Sequence, residues 1–126
     1  MAEFKSEIIT ASKDLTVIEA IKLKDLADAE NINGIVDAAG NIDITVKMYA
    51  KVRVHNERSD DQEYEQLVIL ADDGRKYYTG SKSFMESFES LADELAEHGI
   101  FEFTVHCFGR ESKNYKGRYF LTCSLA

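Results

Sequence analysis

The chain reads as a mainly β protein, and three observations support this. Residues 42–55 alternate apolar and polar without a break, a second apolar run from Tyr64 to Ala71 ends in Asp72, Asp73 and Gly74, and two further alternating runs, 100–109 and 119–125, close the chain. Strict alternation is the period of a β-strand, and an acidic pair before glycine is turn chemistry. One segment, 83–98, breaks the pattern with helical spacing.

In the long strand, Ile42, Ile44, Val46, Met48, Ala50, Val52 and Val54 fall on one side. Asp43, Thr45, Lys47, Tyr49, Lys51, Arg53 and His55 fall on the other. This predicts one face in a core and one in water. The wet face carries Lys47, Tyr49, Lys51 and Arg53, an aromatic ring among cations. Single-stranded nucleic acid uses that combination, stacking bases on the ring while its phosphates meet the charges. The same residues also suit a plain solvated strand face.

Ahead of this strand, Phe4, Ile8 and Ile9 suggest a short strand or an anchored arm. Asp14 is a plausible N-cap, and Leu15, Ile18, Ile21 and Leu26 can share one side of a short helix, the preferred reading, though Leu15, Val17, Ile21 and Leu23 also fit a strand. Asn31, Asn33, Gly34, Gly40 and Asn41 then read as a loop, with Ile35 and Val36 tacked to the core. Beyond it, 56–62 is a polar connection to the strand Tyr64–Ala71, and the Asp73–Gly74 turn leads into 75–79, making a meander of three strands. Adjacent Tyr77 and Tyr78 must point to opposite faces, so one is core and the other is available to stack a base. The sequence leaves open which.

Ser83 with Glu86 fits a capping box opening a helix, with Phe84, Phe88, Leu91 and Leu95 along one side and Gly99 at its end. Then Phe101, Phe103, Val105 and Cys107 alternate with Glu102, Thr104 and His106. After a basic loop, Tyr119, Leu121, Cys123 and Leu125 alternate in a last strand. Phe84 and Phe88 are expected in the core, and Phe101, Phe103, Tyr119 and Phe120 mostly so.

Three strands, a helix and two strands is the order of the OB-fold. The predicted architecture is a five-stranded OB-fold barrel with one helix between strands 3 and 4 and an N-terminal helical extension. It forms one domain over 1–126, with 1–40 the extension and 41–126 the barrel. SH3-like barrels and some α+β domains share this order. OB-folds bind oligonucleotides across strands 2 and 3 and through the loops joining strands 1–2 and 4–5. Here those loops are 56–62 and 110–117. The second holds Arg110, Lys113, Tyr115 and Lys116, with Arg118 just after it, and suits either a clamp on single-stranded nucleic acid or a polar hairpin tip.

A formal charge of −8 argues against a general polyanion binder, but the charge is unevenly spread. The helical segment holds Glu86, Glu89, Asp93, Glu94 and Glu97 without a cation, whereas 110–118 holds Arg110, Lys113, Lys116 and Arg118 against Glu111 alone. An acidic back with a local basic groove is expected. Cys107 and Cys123 lack metal spacing and sit in strand-like runs, so buried free thiols are expected. No recognisable nucleophile context, phosphate loop or zinc pattern is present, which argues against an enzyme, a cofactor or a bound metal. Asp72 and Asp73 with magnesium form the weak exception. No secretion signal or membrane-length apolar run stands out, so a cytoplasmic protein is expected. Oligomeric state is not legible.

Within 72–126 the chain resembles the single-stranded DNA-binding proteins of tailed phages of Gram-positive bacteria, a group that includes phages replicating linear genomes by protein priming. The shared features are the Asp73–Gly74 turn, then Thr79, Gly80, Ser81, Lys82, Ser83 and Phe84 leading into a helix with Phe88. They continue with the Ser112, Lys113, Asn114, Lys116, Gly117 turn and the closing Leu121, Thr122, Cys123 strand. The Asp14, Leu15, Thr16 helix start and the long strand before residue 55 look similar too. Departures are the inserted Tyr115 and low agreement over 25–40.

The resemblance implies an OB-fold protein that coats displaced single strands during phage DNA replication, with single-stranded DNA as ligand and phage replication proteins as further partners. No acidic tail follows Leu125 and Ala126, so recruitment is expected through another surface. It also favours the stacking role of Tyr49 and the basic loop. The competing expectation is a protein-interaction module using Tyr64, Leu67 and the acidic helix to bind a host replication or defence factor.

Overall fold

The computed structural model describes residues 4–11, 16–25, 27–56, 63–111 and 119–126. In chain order these form β1 (Phe4–Ala11), α1 (Val17–Lys24), β2 (Glu30–Asn31), α2 (Ile32–Ala39), β3 (Asn41–Asn56), β4 (Glu63–Ala71), β5 (Lys76–Thr79), α3 (Lys82–Glu97), β6 (Phe103–Glu111) and β7 (Tyr119–Leu125). One seven-stranded sheet runs β2-β5-β4-β3-β6-β7, with β1 also paired to β3. All pairings are antiparallel except β2 on β5.

The expected five barrel strands are β3 to β7, with α3 between the third and fourth. Two features differ from the expectation. Residues before 41 are not only a helical extension, because they add β1 and β2 to the sheet and contribute two helices. The barrel is also open: among the described residues β2 and β7 end the hydrogen-bonded path. Helix α3 is fastened to β7 there, where Ser83 Oγ donates to the Leu121 carbonyl at 2.7 Å and Ser87 Oγ meets Thr122 Oγ1 at 3.0 Å. Helix α2 lines a cleft against β7. The result is a curled, OB-like half-barrel.

Local chemistry explains the helix boundaries. Helix α1 is capped by Thr16, which forms with Glu19 a reciprocal capping box with both bonds at 3.1 Å; the expected cap, Asp14, lies outside the described residues. Its buried side chain is Leu23, while Ile18 and Ile21 are exposed, contrary to the expected apolar side. The expected loop before β3 is helix α2, opened by Asn31, whose Oδ1 accepts from the Asn33 amide at 3.0 Å, and ended by Gly40 at φ 89°. Ile32 and Val36 drive it into the core. The N-cap of α3 is Ser81, not Ser83. Gly99, at φ 73°, ends α3 as expected, and the Ile100 amide turns back to the Leu95 carbonyl at 2.9 Å.

The sheet separates two cores. The larger one holds Ile44, Val46, Leu67, Ile69, Tyr77, Phe103, Val105, Cys107 and Leu121 under Phe84 and Phe88 of α3. The smaller one, on the opposite side, holds Met48, Ala50, Val52, Val54 and Val68 beneath Leu23 of α1, with Ile8 and Ala11 of β1 packed against it. Strand β3 serves both, because its register to β4 shifts between Val46 and Met48, making Lys47 the extra residue of a bulge. Even-numbered residues therefore face the larger core before the bulge and the smaller core after it.

Candidate nucleic-acid interface

The bulge decides where the expected β3 face points. Beyond Lys47, the odd-numbered Tyr49, Lys51 and Arg53 turn to the side that carries α3. That side is not an open wet face. Tyr49 is half-buried, its ring edge-on to Phe88 at 4.9 Å and 81°. Burial raises its phenol pKa, and the charges of Asp93 and Glu89 add to the shift. Lys51 Nζ lies between Glu65 at 3.2 Å and Glu89 at 3.1 Å. The hydrogen bond to Glu89 is the largest cause of its raised pKa. Arg53 reaches the same Glu65 at 3.7 Å. Lys47, on the bulge, is exposed.

Opposite strand faces separate the two tyrosines of β5. Tyr77 pairs with Ile69 and is buried in the larger core, which removes it as a stacking surface. Tyr78 pairs with Val68 and is half-buried against the smaller core. Neighbouring Lys76 turns to the end of α1, where Nζ donates to the Lys22 carbonyl and, at 2.6 Å, to that of Asp25. The outer side of β4 and β5 is thus largely used to hold α1.

Arg110 is exposed on β6. Lys113, Tyr115, Lys116 and Arg118 lie outside the described residues. Near them in sequence are aromatics expected in the core because a small barrel needs large inward residues. Tyr119 is 70% exposed and Phe120 is 38% exposed, and Phe101 is exposed too. The sheet edge and the open end of the barrel leave too few inward positions to cover them. With Gly109, Leu121 and Asn33, Val36 and Asp37 of α2, Tyr119 and Phe120 line a cleft of about 90 Å³.

Phase along the strand was the available signal for Phe108 and Phe120. Both are out of step with the buried series Phe103, Val105, Cys107 and Leu121, Cys123, so period two sends them to the other face. Of the residues expected for a protein-interaction surface, Leu67 is fully buried and so drops out, whereas Tyr64 is 38% exposed and the acidic residues Glu86, Asp93, Glu94 and Glu97 of α3 are exposed.

The family model described as phage single-stranded DNA-binding protein, of the Phi29 type, matches residues 6–126. The chain belongs to this family. Neither the curated proteins nor the solved structures searched give a match. The family is one of DNA-binding proteins, not of enzymes. In keeping with that, Asp72 and Asp73 do turn work: the Asp73 carboxylate accepts from the Arg75 amide at 2.9 Å. Among the described residues no cluster of metal-ligating side chains forms, and no helix is long and apolar enough to cross a membrane.

As a member of a phage single-stranded DNA-binding family, the chain has two regions that could meet a strand. One is the β3 side, where Tyr49, Lys51 and Arg53 share a face beyond the bulge at exposed Lys47 but Lys51 and Arg53 are engaged by carboxylates. The other is the β6–β7 hairpin, where Arg110 and exposed aromatics stand at the base of the basic loop.

Proposed function

We propose that the protein binds single-stranded DNA without sequence preference, coating and protecting displaced strands during phage DNA replication in the cytoplasm of an infected bacterium. The match to the phage single-stranded DNA-binding family over 6–126 carries this reading. The β6–β7 hairpin supports it, with exposed rings beside Arg110 where the sequence continues into Lys113, Tyr115, Lys116 and Arg118. Cations there take phosphates, and the rings accept bases of any identity because every base has a π-face.

The path continues over Lys47 and the Tyr49, Lys51 and Arg53 side of β3. There phosphate oxygens compete with Glu65 and Glu89 for the cations. Tyr78 is the member of the β5 pair with an accessible ring. Phage replication proteins are further partners in this reading.

Titration with oligo(dT) tests it. The chain has 6 tyrosines and no tryptophan, so its intrinsic fluorescence reports tyrosine alone. Quenching on binding, with affinity falling as salt rises, is the expected result. Absence of both quenching and salt dependence would reject the proposal.

A further inference from the structure

We infer that the outer face of the β6–β7 hairpin, through Phe108, Phe120, His106 and Arg110, is the surface on which bases of single-stranded DNA stack. This deepens the reading above and rests on it.

Register places these groups together. Arg110 lies directly opposite Phe120, and Phe108 lies one pair further along, opposite Thr122. Paired residues share a face, and so do residues two apart on one strand. Phe103, Val105 and Cys107 point the other way into the larger core, to which neither Phe108 nor Phe120 belongs. His106 extends the row, its ring stacked on Phe108 at 5.3 Å and 29°. Its Nδ1 is 2.6 Å from Asp43 Oδ1 on β3, which fixes the ring plane. The two rings form a platform held in place before any ligand arrives, so little side-chain freedom is lost on binding.

The charge pattern selects the occupant. Arg110 borders Phe120, and the strand runs one residue beyond it before the loop bearing Lys113, Lys116 and Arg118. Rings for bases next to cations for phosphates match a single strand. A duplex keeps its bases stacked inside and has no use for the platform. The contrast with β3 is electrostatic: Lys51 is flanked by Glu65 and Glu89, whereas the carboxylate on this face, Asp43, is turned to His106. Helix α3 reaches this face at Thr122, which is buried and meets Ser87 Oγ, so the open part of the face lies toward Phe120 and Arg110.

The test uses the full chain with 5′-fluorescein-labelled oligo(dT) followed by anisotropy. Phe108→Leu and Phe120→Leu keep apolar bulk and remove the stacking face. Each is expected to weaken binding about 5- to 100-fold at fixed salt, with an unchanged thermal midpoint showing that the fold is intact. A variant with parental affinity overturns the inference. If the parent itself does not bind, the reading beneath it fails instead. Photocrosslinking the parent to an oligonucleotide containing 5-iododeoxyuridine gives a check independent of variant folding. Adducts at Phe108, His106 or Phe120 support the assignment, and adducts confined to Tyr49 or Tyr78 overturn it.

Discussion

Tyr49 of β3 meets Phe88 of α3 edge to face, ring centroids 4.9 Å apart, and joins the long strand to the helix that covers it. An aromatic pair of this geometry contributes about 0.5–1.5 kcal/mol beyond the area it buries. Tyr49→Ala is therefore expected to lower the unfolding free energy by roughly 1–3 kcal/mol in urea, with Tyr49→Phe close to the parent. An unchanged urea midpoint for the alanine variant would mean that α3 does not rest on Tyr49 in solution. Oligo(dT) affinity of Tyr49→Leu, measured where its urea curve shows the folded state fully populated, then reports any base stacked on the ring, and Tyr49→Phe reports the hydroxyl alone.

Lys51 is held by Glu65 and Glu89, and these carboxylates decide whether it can serve a phosphate. The side chains are partly exposed, so the ion pairs add little to stability, on the order of 0–1 kcal/mol. Their charge opposes a polyanion at the same place. Glu89→Gln is expected to tighten oligo(dT) binding about 2- to 5-fold at low salt, with the gain shrinking as salt screens it. Equal affinity for variant and parent at low ionic strength would remove Lys51 from the DNA path.

On the proposed reading, Arg110 and the cations that follow it in sequence set the salt dependence. If Arg110, Lys113, Lys116 and Arg118 each neutralise one phosphate, log affinity falls against log salt with a slope of about −3, at roughly 0.7 per phosphate on a single strand. Arg110→Gln is expected to flatten that slope by about 0.7 and weaken binding alike for oligo(dT) and oligo(dC). A slope that Arg110→Gln leaves at its parental value would show that Arg110 meets no phosphate.

The strands of the half-barrel were legible because alternation is a direct imprint of burial. Val105 and Cys107 sit where period two places them, as does every even residue from Ile44 to Val54. What alternation hid is that β3 feeds two cores. An extra residue at Lys47 leaves the pattern intact while reversing its meaning, and it shows only as a register shift against β4. The face of Tyr49 and Lys51 therefore looked wet in sequence and lies beside α3. The segment of α2 reads as a loop in sequence because Asn33 and Gly34 are weak helix formers, and its burial of Ile32 and Val36 overrides that propensity. Tyr119 and Phe120 read as core in sequence because a small barrel needs large inward residues. The open edge of the barrel, which sequence does not reveal, leaves them exposed.

Cys107 and Cys123 lie directly opposite each other on β6 and β7, both buried and free. Burial pushes both thiols up from 9.0 to about 12, and for Cys107 the neighbouring Cys123 adds to the shift. The thiolate is the reactive form, so alkylation by iodoacetamide at pH 8 is expected to be slow in the native protein and fast in urea. The linkage has a definite sign. A thiol pKa higher in the folded chain than in the unfolded one means that the neutral form is favoured by folding. Its contribution is complete below about pH 9 and is lost as pH rises through about 12. Tyrosines and lysines titrate in the same range, so the comparison is with a Cys107→Ala, Cys123→Ala double variant. The parent is expected to lose more unfolding free energy between pH 9 and 11 than the variant does. Parallel stability curves, or alkylation of the native protein as fast as in urea, would contradict the burial of these thiols.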